Sequence, residues 1–100
     1  MAELNGFLRE MMEKKASDLH LKAGRRPMFR INGRLEDSAF DALSAADTRK
    51  IAESMMDERQ AAKLADGNEV DLAYTAENMP RFRVNIFRQK GSVELILRLI

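Results

Sequence analysis

The sequence predicts a single α+β domain, with helices packed on one face of an antiparallel sheet. The chain has 100 residues, which is enough for one domain, so residues 1–100 are taken as one unit. Apolar residues recur every three or four positions in some segments and every second position in others, which indicates both helices and strands. Short turns separate consecutive predicted strands, and such turns favour antiparallel pairing.

A first helix is predicted close to the N-terminus, where apolar residues form one stripe at helical spacing. The stripe consists of Leu4, Phe7, Leu8, Met11 and Met12. The helix is expected to end at Ala16 and Ser17. From residue 18 the period becomes two, which predicts a strand with Leu19 and Leu21 on one face.

A hairpin is predicted next, followed by two helices. Residues 28–31 form its first strand, and the Asn-Gly pair at 32–33 turns the chain into a strand at 34–35. Residues 36–43 are expected to be a connection. Ser44 and Asp47 have the spacing of a capping box that begins a helix. A shorter helix follows, capped at residues 57 and 60, with Ala61, Leu64 and Ala65 inward and Gly67 at its C-terminal end.

The last third of the chain is predicted to be three strands. Apolar and polar residues alternate over 70–75, over 81–86 and over 93–99. Lys90-Gly91 gives the last two strands a tight turn, so we expect them to pair with each other. The complete predicted order is one helix, two or three strands, two helices and three strands.

Charge is segregated along the chain although the net charge is only +1. Residues 20–34 carry +5, residues 35–80 carry −7 and residues 81–100 carry +4. This pattern has two interpretations. The basic segments are solvated or paired with internal acids, or they meet in space and face an anion.

Several kinds of site are excluded by the residues that the sequence lacks. It has no cysteine and one histidine, so neither a disulfide framework nor a metal centre is expected. It has no Gly-rich phosphate loop of the type GxxxxGK[ST], and none of its serines has a base nearby except Ser17, which lies close to His20. A triad of Ser17, His20 and Asp18 would have to form within four residues, and side chains so close along one strand cannot generally stack in the triad order. We therefore expect no catalysis, and no ATP hydrolysis, by this chain alone. No apolar run approaches the length of a membrane span, which favours a cytoplasmic protein.

Arginines in the last two strands are the main candidate binding residues. Arg81 and Arg83 are two positions apart on one predicted strand, so their side chains point to the same face of the sheet. The turn at 90–91 brings Arg98 into the cross-strand neighbourhood of Arg83. Guanidinium groups suit bidentate contact with phosphate. The alternative is that acids on adjacent strands, namely Asp71, Glu69 or Glu94, neutralise these arginines.

A nucleic-acid-binding sheet is a second alternative, since Phe29 and Phe87 lie near basic residues. Neither stands in the pattern typical of RNA-binding sheets, and aromatic residues make up only 6% of the chain. No nucleic acid is therefore expected as a partner. A PAS-like sensor of a small ligand is a third alternative, but no polar cluster inside the predicted core indicates a pocket.

Two stretches of the sequence resemble PilT-type ATPases, the retraction motors of type IV pili. The first has ASDLHL at 16–21 followed by PMFRING at 27–33. The second has RFRVNIFRQ at 81–89, then GSV at 91–93 and LRLI at 97–100. Both occur in the family's order and approximate spacing. The assembly ATPases of pili and of type II secretion belong to the same wider family and remain an alternative.

The resemblance implies a regulatory, PAS-like N-terminal domain of a hexameric ring ATPase, whose ATP and Mg²⁺ bind mainly in a following motor domain. It implies that this domain moves relative to the motor domain and packs on the motor domain of the neighbouring subunit. By motif position, Arg83 and Arg98 would approach the nucleotide phosphates, with Arg81 and Arg30 as further candidates. Asp18 and His20 match the family's SDLH motif, and we interpret them as local structural or interdomain groups. A location at the inner-membrane platform of the pilus machine is also implied.

Overall fold

The order of helices and strands follows the prediction in the computed structural model, which describes residues 4–100. Residues 1–3 of the predicted domain lie outside the described residues. The elements are α1 Leu4–Glu13, β1 Asp18–Leu21, β2 Met28–Ile31, β3 Arg34–Asp37, α2 Ala45–Met55, α3 Glu58–Ala65, β4 Val70–Thr75, β5 Arg81–Gln89 and β6 Ser92–Leu99. The α+β class is therefore confirmed, whereas the narrower PAS-like arrangement stays a prediction.

All strands of the described chain belong to one antiparallel sheet of six strands in the order β3-β2-β1-β6-β5-β4. β1 and β6, the first and last of the described strands, are therefore neighbours at the centre of the sheet. Leu97 of β6 lies opposite both Leu19 of β1 and Val84 of β5, so apolar residues form a continuous row across the sheet.

The helices cover one face of this sheet. α1 packs against β1, α2 against β6, and α3 against β4 and β5. Residues from the helices and from this face of the strands form one buried cluster, which includes Phe7, Leu8, Met11, Ile51, Leu64, Leu19, Val84 and Leu97. The other face of the sheet carries the alternating polar residues, and we call it the open face. None of the described helices is long and apolar enough to cross a membrane.

Both predicted capping boxes are present. Asp47 N–H donates to Ser44 Oγ at 3.0 Å, and Ser44 N–H donates to Asp47 Oδ2 at 2.8 Å. Asp57 and Gln60 form the same reciprocal pair at the start of α3. Gly67 follows the C-cap of α3 with a φ of +89°, a left-handed conformation that glycine adopts without a Cβ penalty.

Three local predictions were wrong. The segment 36–43 is not wholly a connection, because β3 continues to Asp37 and pairs along its whole length with β2. Ala65 is exposed rather than inward, since the short α3 buries only Leu64. α1 ends at Glu13, before the predicted Ala16 and Ser17, because Lys15 adopts a left-handed φ of 54°.

Candidate functional site

Four charged side chains form a row across the open face, and we call them the ionic row: Arg30, Asp18, Arg98 and Arg83. They come from the neighbouring strands β2, β1, β6 and β5. Asp18 lies opposite Arg30 on one side and opposite Arg98 on the other, and Arg98 lies opposite Arg83. Strand pairing thus places Arg83 beside Arg98, as the turn at 90–91 led us to expect.

Arg98 is held by a buried carboxylate. Its Nε and Nη2 donate to Asp18 Oδ2 at 3.1 and 3.0 Å, and Ser17 Oγ donates to Asp18 Oδ1 at 2.6 Å. The Asp18 side chain is only 5% exposed, whereas that of Arg98 is 69% exposed. Burial by itself would raise the pKa of Asp18, but the hydrogen bonds from Ser17 and Arg98 and the Arg98 charge outweigh it and lower the pKa. Asp18 is therefore ionised at neutral pH and holds the Nε and Nη2 edge of the Arg98 guanidinium group.

Arg83 is paired at the surface. Its Nε donates to Asp71 Oδ1 at 3.3 Å and its Nη2 to Asp71 Oδ2 at 2.7 Å, a bidentate arrangement. Both side chains are well exposed, 69% for Arg83 and 50% for Asp71. The hydrogen bond from Arg83 lowers the pKa of Asp71. Of the acids considered from the sequence, Asp71 is thus the one that partners Arg83, while Glu94 pairs with Lys22 at 3.6 Å.

A shallow cleft of about 280 Å³ opens between the two paired arginines. Its lining consists of Asp71, Arg83, Asn85, Ile96 and Arg98. Two guanidinium groups at the rim of an open cleft suit an oxyanion, because arginine offers several N–H donors in a planar fork. Within residues 4–100 no group of three or more His, Cys, Asp and Glu could hold a metal ion.

The other candidate residues occupy different positions around this cleft. Arg30 stands at the far end of the ionic row and donates from Nη1 to the Gly33 carbonyl at 3.1 Å, so it points to the hairpin turn. Arg81 is exposed at the start of β5, opposite Thr75.

His20 is half-buried and lines a separate, larger cavity of about 390 Å³ on the open face. Burial lowers the pKa of His20, with Arg30 and Arg98 acting in the same direction and Asp18 and Glu94 against it. The histidine is therefore mainly neutral at pH 7, and it does not line the cleft between Arg83 and Arg98.

Sequence reasoning missed three residues that shape the site. Ser17 was placed at the end of a helix and within the SDLH motif, but its hydrogen bond to Asp18 was not predicted. Asn85 and Ile96 line the cleft and were not singled out. A strict two-residue period would have found both, because Asn85 follows Arg83 and Ile96 precedes Arg98 by two positions on the same face.

Comparison with known proteins identifies relatives among pilus ATPases. No protein-family model matches the chain. The type IV pilus ATPase PilU of Pseudomonas aeruginosa is 37% identical over 98 residues, which are 98% of this chain and 26% of PilU. The type IV pilus retraction ATPase PilT of the same organism is 31% identical over 85 residues, 85% of this chain and 25% of PilT.

A comparison with solved structures also identifies a pilus ATPase as similar to this chain. The crystal structure of the pilus retraction motor PilT with bound ADP superimposes with a TM-score of 0.91 at 37% identity, covering 100% of this chain and 29% of the PilT chain. The chain spans about a quarter of the length of the curated relatives that it matches. In sequence and in fold, the chain matches the N-terminal domain of the PilT-type ATPases.

Proposed function

We propose that this chain works as the regulatory N-terminal domain of an ATP-driven motor for type IV pilus retraction, and that Arg83 and Arg98 there face the nucleotide phosphates. The observation that carries the proposal is the pair of exposed guanidinium groups at the rim of one cleft, in a chain whose relatives are pilus ATPases. The functions of these relatives suggest the motor, and the cleft suggests the phosphate contact.

The charge arrangement supports an anion at this cleft. Arg83 and Arg98 lie directly opposite each other on adjacent strands, where like charges repel. Asp71 and Asp18 bind the two arginines from the outer strands β4 and β1, and both guanidinium groups still line the cleft. A phosphate in that space would contact both arginines and relieve their repulsion.

ATP and its Mg²⁺ are proposed to bind mainly in the remainder of the motor. The chain has no GxxxxGK[ST] loop with which to surround the phosphates, whereas its arginine cleft fits a terminal phosphate approached from outside. In this arrangement Arg83 and Arg98 supply N–H donors and positive charge. The nucleotide supplies the phosphoryl chemistry.

A contact of this kind would couple the position of the domain to the nucleotide state, because loss of the phosphate removes what holds the two parts together. We therefore include motion relative to the motor domain, and contact with the motor domains of its own and neighbouring subunits of a hexameric ring, in the proposal. A cytoplasmic location at the inner-membrane platform of the pilus machine follows from the same assignment.

The test is a chimera in which this chain replaces the matched segment of P. aeruginosa PilT. The Arg83→Ala chimera should lose ATP turnover about 10³-fold, the lower end of what arginines on a transferring phosphoryl group contribute. Arg98→Lys should also lose ATP turnover. Because lysine keeps a cation beside Asp18, this variant should lose less stability than Arg98→Ala. Turnover is measured per folded protein, with the folded fraction taken from circular dichroism.

Arg34→Ala is the matched control, because Arg34 is an exposed arginine on the edge strand β3. It should leave turnover unchanged. An inactive unsubstituted chimera would contradict the assignment to a PilT-type motor. Full activity in folded Arg83→Ala and Arg98→Lys chimeras would contradict the phosphate contact.

A further inference from the structure

We propose that the two arginines of the cleft have different tasks, with Arg83 exchanging its partner Asp71 for the phosphate and Arg98 remaining fixed on Asp18. Asp71 is then an internal competitor that sets how strongly an anion must bind to open the site. This inference rests on the proposed function, since it concerns the same phosphate-facing cleft.

The first argument is the different burial of the two carboxylates. Asp18 is 5% exposed, so the departure of Arg98 would leave a buried charge with Ser17 as its remaining side-chain hydrogen-bond donor. Asp71 is 50% exposed, so water replaces Arg83 when that arginine leaves. Exposed ion pairs contribute little to stability, and the bidentate geometry of this pair places it among the stronger of them. Release is therefore costly for Arg98 and easy for Arg83.

The second argument is that the same guanidinium edge has a replaceable partner in Arg83 and a fixed partner in Arg98. Asp71 occupies the Nε and Nη2 edge of Arg83 with both carboxylate oxygens, which is an edge that a phosphate would bind in bidentate fashion. Asp71 and a phosphate therefore compete for that edge. Arg98 uses the same Nε and Nη2 edge for Asp18, so both arginines keep the same remaining N–H groups. The difference lies in the acceptor, because Asp18 is buried and also accepts from Ser17, whereas Asp71 is half exposed. Arg98 therefore meets a ligand only with its remaining N–H groups, while Arg83 can also offer the edge that Asp71 occupies.

The third argument is the position of Asp71 relative to the incoming anion. Asp71 itself lines the cleft, so its negative charge repels any anion that enters while the pair is closed. Arg98, on the opposite side, attracts the anion. A multiply charged phosphate can displace Asp71 from Arg83, whereas a singly charged anion gains little over the carboxylate that it replaces.

The experiment titrates the 100-residue chain with inorganic pyrophosphate and follows the Nε–Hε resonances of arginine by ¹⁵N NMR. The variant Asp71→Asn should bind pyrophosphate about threefold to fivefold more tightly than the unsubstituted chain, as expected from removing a competing exposed ion pair. The Arg83 resonance should move away from its paired position during the titration, and that of Arg98 should move little. Added salt should reduce the difference.

The matched control is Asp37→Asn. Asp37 is also an exposed carboxylate on an edge strand and pairs with Arg25 at 3.6 Å, but it does not line the cleft. An equal gain in affinity in both variants would assign the effect to net charge and overturn the inference. Equal affinity of Asp71→Asn and the unsubstituted chain would overturn it as well, while an Arg83-dependent turnover in the PilT chimera would still support the proposed function. If pyrophosphate shifted the Nε–Hε resonance of neither arginine in any variant, the exchange of Asp71 for phosphate would be refuted. The proposed phosphate contact would then be tested by the PilT chimera alone.

Discussion

Arg83 and Arg98 are equally exposed neighbours, yet their contributions to stability should differ, because their partners differ. Arg98→Ala leaves Asp18 buried, and an unsatisfied buried charged acceptor costs at least about 1–3 kcal/mol of unfolding free energy. Arg83→Ala leaves Asp71 in water and should leave the unfolding free energy nearly unchanged. Urea denaturation of the two variants measures the difference.

Urea denaturation at low pH is the control for this difference in unfolding free energy. Asp18 has a lowered pKa in the folded chain, so its stabilisation is complete above its ordinary value of 3.8 and is lost as the pH falls through the lowered value. The gap between Arg98→Ala and the unsubstituted chain should therefore close in strong acid. Equal denaturation midpoints for Arg83→Ala and Arg98→Ala at pH 7 would show that Asp18 does not anchor its arginine.

Among the secondary-structure elements, α1 gives the clearest test. Its stripe, which from the sequence alone could serve either the core or a partner, is in the core. Phe7 is 4% exposed and meets Phe40 edge to face, with ring centroids 4.8 Å apart. Phe7→Ala should therefore lower the unfolding free energy by about 3–5 kcal/mol in a urea melt of the chain.

Arg9→Ala serves as the control on the same helix, because Arg9 is exposed and its removal tests helix propensity alone. A Phe7→Ala chain that unfolds at the same urea concentration as Arg9→Ala would mean that α1 contributes little to the core.

Helices and strands could be predicted where a local sequence pattern specifies them. The alternation in β5 and β6 and the reciprocal caps of α2 and α3 are such patterns, and the structure confirms all of them. The full length of β3 could not be predicted. Its four residues are all exposed, so they lack the alternating burial of a strand, and only backbone pairing with β2 defines it.

At the scale of the whole molecule, the site was predictable in part. The cross-strand pairing of Arg83 with Arg98 follows from one tight turn, so sequence reasoning found it. The anchor between Asp18 and Arg98 joins strands at opposite ends of the described chain, and nothing local indicates that β1 and β6 are neighbours. Asp18 was therefore singled out by resemblance, without its partner.

The central position of β1 beside β6 also has a consequence for folding kinetics. The strands β1, β2 and β3 form one antiparallel unit, and β4, β5 and β6 form another, each joined by connections shorter than the segment that separates them. Because closing a longer loop costs more entropy, we expect both units to form before β1 and β6 meet.

The transition state should therefore contain the β5–β6 hairpin but little of the β1–β6 contact. Ile86→Val should slow folding, and Leu19→Ala should mainly accelerate unfolding, as measured by stopped-flow chevron plots. The opposite pattern would mean that the two halves meet first. Since Asp18 and Arg98 lie on β1 and β6, the anchor that orients the arginine cleft is completed only when the two halves of the sheet join.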